Sequence, residues 1–155
     1  IAPYVDGGAQ ENSRRAGTEN VASIIGMAVA LKENCDCLDD YLTSICMLEH
    51  QLLSMLSDAH ISYIRNGGDK TLPGLISLSF AGVDGEAILH RMDLAGICIS
   101  TGSACNSEST EISHVLKAIG LDEKHAKGTI RISLGKNNTA DDVNAIAATL
   151  IKILK

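Results

Sequence analysis

Gly128-Thr129-Ile130-Arg131-Ile132-Ser133-Leu134-Gly135 is the stretch on which the fold turns. Its apolar residues Ile130, Ile132 and Leu134 stand at every second position, so they share one face of a strand and Arg131 points to the other. The same alternation recurs upstream, where Ile76, Leu78 and Phe80 are separated by Ser77 and Ser79. Shorter strands are predicted over Ile61 to Arg65 and Ile97 to Ser100. Around these segments the period lengthens to that of a helix. Val21, Ile24, Ile25, Ala28 and Leu31 fall on one helical face, and Leu38, Tyr41, Ile45, Leu48, Leu52 and Met55 mark a long amphipathic helix ending near Asp58. Glu86 to Asp93 reads as a helix stopped by Gly96, and Ser113 can cap a short helix closed by Gly120. Thr139 with Asp142 three residues later forms a capping-box pattern ahead of the apolar stripe Val143, Ile146, Ala147, Leu150 and Leu154. The expected architecture is α/β: two layers, with helices packed on a small, mainly antiparallel sheet.

The chain has 155 residues, 45% of them hydrophobic and only 3% aromatic, so its core is built from aliphatic side chains. A net charge of −6 disfavours nucleic acid and anionic membrane as partners, since both call for a basic footprint. No apolar run reaches the length of a bilayer span, and no signal-peptide pattern opens the sequence. Five unevenly spaced cysteines argue against a disulfide framework and for a reducing, cytoplasmic compartment. Cys35 and Cys37 stand too close together, with no histidine at zinc-finger spacing, to support a metal site. The sequence starts at Ile1 and runs at once into a glycine-rich polar loop, which is expected of a piece of a longer protein.

Three places carry chemistry. Cys105 lies in Thr-Gly-Ser-Ala-Cys-Asn-Ser-Glu-Ser-Thr (101–110), a run of small polar residues shortly before a helix, where a thiolate is accessible. It reads either as a reactive nucleophile or as an incidental surface cysteine. Arg131 can grip a carboxylate in bidentate fashion or simply be a solvated arginine on an open sheet face. Thr18, after Gly7, Gly8, Arg14, Arg15 and Gly17, can hold a phosphate or cap the following helix. Cys98, inside an apolar strand, is expected in the core and protected from alkylation while Cys105 is labelled.

Taken together, these motifs resemble a known family. Gly7-Gly8-Ala9-Gln10-Glu11 followed by Arg14-Arg15-Ala16-Gly17-Thr18-Glu19-Asn20-Val21 resembles a segment of the NifS/IscS-type cysteine desulfurases, members of the class V aminotransferase superfamily. Ser100-Thr101-Gly102-Ser103-Ala104-Cys105 resembles their active-site loop, and the segments Ser113 to Leu121 and Ile130 to Gly135 follow at the distances typical of the family. The resemblance implies a fold-type I enzyme dependent on pyridoxal 5'-phosphate that turns L-cysteine into L-alanine and leaves a persulfide on Cys105. It implies Arg131 as the clamp on the substrate carboxylate, and Thr18 as a ligand of the cofactor phosphate in the neighbouring subunit of a homodimer. The implied sulfur acceptors are iron–sulfur scaffolds or tRNA-thiolation proteins, and no metal is implied.

Ala9 departs from a third glycine, and Ile112 stands where proline is common. No lysine follows the Ser/Thr-x-His pattern of the Schiff-base residue, so residues 1–20 are expected to be the tail of a large cofactor-binding domain. Residues 21–155 are then the small domain, inactive and without cofactor on their own. A selenocysteine lyase or another class V enzyme is the first rival, and a stand-alone persulfide carrier is the second.

Overall fold

The computed structural model describes residues 2–68, 70–101 and 112–155. They divide into two compact units, Ile1–Leu38 and Asp39–Lys155. In the first, Val5 and Arg15 form a parallel bridge, with backbone bonds from Tyr4 N to Arg14 O (3.0 Å) and from Ala16 N to Val5 O (3.0 Å). The opening segment, read from sequence as a loop, thus closes on itself around a single short turn, α1 (Gln10–Ser13). Glu11, Asn12 and Ser13 all take positive φ, a left-handed turn that L-residues adopt only when their surroundings hold it. Helix α2 (Val21–Asp36) follows, with Asn20 as its N-cap: the Asn20 Oδ1 accepts from Ser23 N at 3.2 Å. No residue of α2 is buried, and Val21, Ile24, Ile25 and Leu31 are each more than half exposed.

The second unit is the two-layer α/β domain. Its elements run α3 (Leu38–Asp58), β1 (Ile64–Arg65), β2 (Leu75–Ser79), α4 (Gly85–Asp93), β3 (Ser100–Thr101), α5 (His114–Ala118), α6 (Glu123–Ala126), β4 (Thr129–Ser133) and α7 (Ala140–Leu154). The sheet order is β1-β2-β4-β3, with every neighbouring pair antiparallel. Ile76 and Leu78 of β2 pair with Ile132 and Ile130 of β4, and all four are buried. Against them lie Leu52 and Leu56 of α3, Ile88 and Met92 of α4, and Val143, Ile146, Ala147 and Leu150 of α7, in one core cluster. Each of the larger side chains among them, Val, Leu, Ile or Met, contributes about 1.5–3 kcal/mol on leaving water. Phe80 closes one end, edge-on to Tyr63 at 6.4 Å. Among the described residues, no helix is long and apolar enough to cross a membrane.

The outer strands differ from expectation. The third strand begins at Ser100 rather than Ile97, and Cys98 is exposed rather than in the core. Ile97 and Ile99 pack against the core, so the two-residue alternation itself turns Cys98 outward. Its predicted protection from alkylation therefore does not follow. His125 sits on α6, where its Nδ1 meets the Asp122 carboxylate at 2.6 Å.

Three helices end in the same way. Gly96 after α4 and Gly120 after α5 have positive φ, with the paired closing bonds Ile97 N to Met92 O and Leu121 N to Leu116 O. At the end of α3 that position is His60, at φ 59°, with Ile61 N bonded to Leu56 O and His60 N to Ser57 O. A side chain in this conformation is strained where glycine is not. His60→Gly is therefore expected to raise the unfolding free energy by up to about 1 kcal/mol in urea titrations.

The cap of α7 gives a second expectation. Asp142 Oδ2 accepts from Thr139 N (2.8 Å) and from the Thr139 hydroxyl (3.1 Å), while Asp142 N donates to Thr139 Oγ1 (3.3 Å). The Thr139 backbone bond, ahead of its hydroxyl, holds the Asp142 carboxyl below its ordinary value of 3.8. A folded-state value that is depressed stabilises the fold above the unfolded value, and this stabilisation is lost as pH falls through the folded one. Stability of Asp142→Asn should accordingly fall less than that of the parent between about pH 5 and pH 2, measured by denaturation at each pH.

Candidate functional site

The site is built on the polar face of the sheet. Because Ile130 and Ile132 face the helices, Arg131 between them emerges on the other side and is exposed. The register places Ser77 of β2 and Ser100 of β3 directly opposite Arg131 on its two flanks. Arg131 Nη2 donates to Ser100 Oγ at 3.4 Å, which leaves most of the guanidinium fork turned to solvent. Asn66, just after β1, extends the row, donating from Nδ2 to Ser77 Oγ (3.0 Å) and Ser79 Oγ (2.7 Å). Further along, the Ser79 and Thr129 hydroxyls, both buried, are 2.7 Å apart. The result is an arginine in a row of small hydroxyl and amide groups, a setting for a carboxylate that demands two parallel N–H donors.

On the opposite face of β3, the Thr101 hydroxyl donates to the Glu86 carboxylate in the first turn of α4. Both residues of β3 are thereby engaged, one from each side of the sheet. Cys105 lies outside the described residues; in sequence it stands five residues after Ser100 and four after Thr101. Thr18 belongs to the first unit, exposed between Gly17 and the N-cap Asn20. Helix capping, its competing role, falls to Asn20 instead. The Arg15 guanidinium donates to Gly17 O (3.2 Å) and Gly17 N donates to Gln10 Oε1 (3.3 Å), so the backbone leading to Thr18 is held in place. Of the three candidates, then, Arg131 is brought beside the strand that leads in sequence to Cys105, while Thr18 stands in the other unit.

Ser100, Asn66 and Glu86 are not legible in the sequence as partners of these residues. Ser100 and Asn66 could have been found only from strand register, which hydropathy does not encode for polar residues. Glu86 was legible merely as an acidic residue suited to the first turn of a helix. Elsewhere, the Glu49 carboxylate on α3 is buried, accepting from the Arg65 guanidinium and from Gly74 N (2.8 Å), and this ties α3 to the segment between β1 and β2. Its partners are distant in sequence, so no local pattern marks it.

A profile of the aminotransferase class-V family matches residues 6–146. The chain is 41% identical over its whole length to a cysteine desulfurase IscS of Dictyoglomus turgidum, and 38% identical over 98% of its length to a cysteine desulfurase of Klebsiella pneumoniae. It spans 40% and 38% of those proteins. Among solved structures, it is similar to a NifS-like protein from Rickettsia africae, with a TM-score of 0.80 and 32% identity over 99% of this chain and 40% of that one. The helices on a small antiparallel sheet are the architecture those proteins share with it, and the chain belongs to the class-V aminotransferase family, among relatives of the IscS and NifS-like kind.

Proposed function

We propose that this chain supplies the C-terminal part of a pyridoxal 5'-phosphate-dependent cysteine desulfurase. The observation that carries the reading is Arg131. It is an exposed guanidinium on the central strand, beside the residue five positions before Cys105, in a chain similar throughout to cysteine desulfurases. In this reading residues 1–20 complete the large cofactor domain and residues 21–155 form the small domain. The whole protein acts in the cytoplasm as a homodimer.

Pyridoxal phosphate, when bound, supplies the electron sink that activates the substrate amino acid. The residues present fit one end of it. Thr18 has an exposed hydroxyl on a braced loop and would hold the phosphate, across the dimer. No lysine of the chain follows the Ser/Thr-x-His pattern of the Schiff-base residue, and the amine for the cofactor aldehyde is assigned to the part of the protein outside this chain. Arg131 binds and orients the carboxylate of L-cysteine. Cys105 takes the sulfur: L-cysteine and the thiol become L-alanine and a Cys105 persulfide, with no outside oxidant or reductant. The persulfide then passes to an iron–sulfur scaffold or a tRNA-thiolation protein.

Replacing Arg131 by Ala in the whole protein is expected to raise KM for L-cysteine by about 10- to 100-fold, since a bidentate charged contact is lost. Cys105→Ser should abolish persulfide formation while the cofactor absorbance persists. A Cys105→Ser protein that still releases alanine at the parent rate with its acceptors would end the assignment.

A further inference from the structure

The polar groups around Asn66 fix one another's hydrogens, and the chain of donors ends on Ser77. The Thr129 hydroxyl donates to His125 O at 3.2 Å. A hydroxyl has a single hydrogen, so in the 2.7 Å contact between Ser79 and Thr129 the donor is Ser79. The Ser79 oxygen must then accept from Asn66. The amide therefore turns its Nδ2 to the strand, 2.7 Å from Ser79 Oγ and 3.0 Å from Ser77 Oγ. Ser77 is an acceptor there as well. The backbone braces the same relation, with Asn66 N on Ser77 O at 3.0 Å. Ser79 has given its hydrogen to Thr129, but Ser77 has not given its own: among the described residues nothing accepts from its hydroxyl.

Ser77 stands directly opposite Arg131 in the pairing of β2 with β4. Residues so paired point to the same face, with Cβ atoms about 4.5–5.5 Å apart. The Arg131 guanidinium bonds to the other flank, to Ser100 at 3.4 Å, and Ser77 is half-buried beside it. The guanidinium fork and a free O–H donor are thus neighbours on one open face. A carboxylate has about four lone-pair sites, and a bidentate grip by arginine occupies about two of them. We infer that Ser77 is a second binding residue for the substrate carboxylate: its hydroxyl donates to an oxygen held by Arg131, and Asn66 is the positioning residue that keeps the hydroxyl in the donor role. The inference rests on Arg131 being the carboxylate clamp.

The test uses the whole protein loaded with its cofactor. Ser77→Thr and Ser77→Val introduce side chains of the same shape, both suited to a strand, that differ in the hydroxyl. Ser77→Val should raise KM for L-cysteine about three- to tenfold and leave kcat within about twofold, while Ser77→Thr stays close to the parent in KM. Ser77→Ala, which adds no bulk, should show the same loss as Ser77→Val. Calorimetric titration separates the carboxylate from the rest of the substrate. L-alanine, which carries it, should bind Ser77→Val more weakly by the same factor, and cysteamine, which lacks it, should bind both variants equally. Asn66→Ala should weaken L-alanine binding about twofold in the parent and leave it unchanged in the Ser77→Val background, because it acts through that hydroxyl alone. Equal affinity of Ser77→Thr and Ser77→Val for L-alanine, with weaker binding by Arg131→Ala, would overturn the inference and leave Ser77 facing water only. So would an equal loss of cysteamine binding in Ser77→Val, or an effect of Asn66→Ala that persists in that background. Parent-level L-alanine binding by Arg131→Ala would overturn the reading beneath it instead.

Discussion

Strand β4 is paired on both edges and covered on one face, and that arrangement allows it a single register. Ile130 and Ile132 are buried among side chains of α3, α4 and α7, and Arg131 between them is exposed. A slip by one residue would put the guanidinium into an aliphatic core and both isoleucines into water. Desolvating an unpaired charge costs several kcal/mol, and exposing two isoleucines forfeits about 1.5–3 kcal/mol each. The same energy that assembles the core therefore aims Arg131, and aims it accurately, without any contact dedicated to the purpose. Ser77 and Ser100 come opposite it as a consequence of register, not of attraction.

The second constraint is close backbone approach. Gly74 lies between α3 and the end of β4: a Cβ there would meet Ile45 Cγ2 at 2.6 Å and Leu134 O at 2.8 Å, and Leu134 N bonds to Gly74 O at 2.8 Å. Its own N–H goes to the buried Glu49 carboxylate, which also takes the Arg65 guanidinium. Glu49 thus satisfies two donors from the β1–β2 connection, and its burial costs little while both remain. Truncating it would leave Arg65 and Gly74 N without that partner. Gly85 and Gly128 do for the start of α4 what Gly74 does for α3. These close approaches act together with the packed side chains of the core, and they leave the helices little freedom to shift on the sheet.

How much of this was legible depended on whether the determinants are local. The capping box of Thr139 and Asp142, and the stops at Gly96 and Gly120, are written in adjacent residues and occur where expected. The strand alternations of Ile76 to Phe80 and Ile130 to Leu134 likewise survive because burial on one face enforces them. His60 could not be seen, because a left-handed closing position is normally marked by glycine and here tertiary context overrides that preference. Cys98 was misplaced because an apolar neighbourhood was read as burial, whereas period two sends alternate residues to opposite faces. Glu49 carried no signal at all, since its partners lie 16 and 25 residues away. The apolar stripe of α2 identified a helix correctly, but a stripe states what a helix would bury and not what covers it, and none of the α2 residues is buried.

For the candidate site the same distinction separates residue types from geometry. Arg131 and Thr18 could be nominated as anion binders from their surroundings in sequence, and Cys105 as an accessible thiol. What sequence could not supply is the strand pair that sets Arg131 next to the departure point of the chain toward Cys105. That pair is short, lies at the edge of the sheet, and is made of residues whose side chains are polar on both faces. Two residues of edge strand contribute too few backbone bonds to be rigid alone, and edge positions are where sheets fray. The hydroxyls of Ser100 and Thr101 compensate, each finding a charged partner on a more deeply anchored element: β4 on one side, α4 on the other. These exposed side-chain bonds add to a backbone ladder of only two residues. The least regular strand of the sheet is thus tied to fixed points that the core supplies.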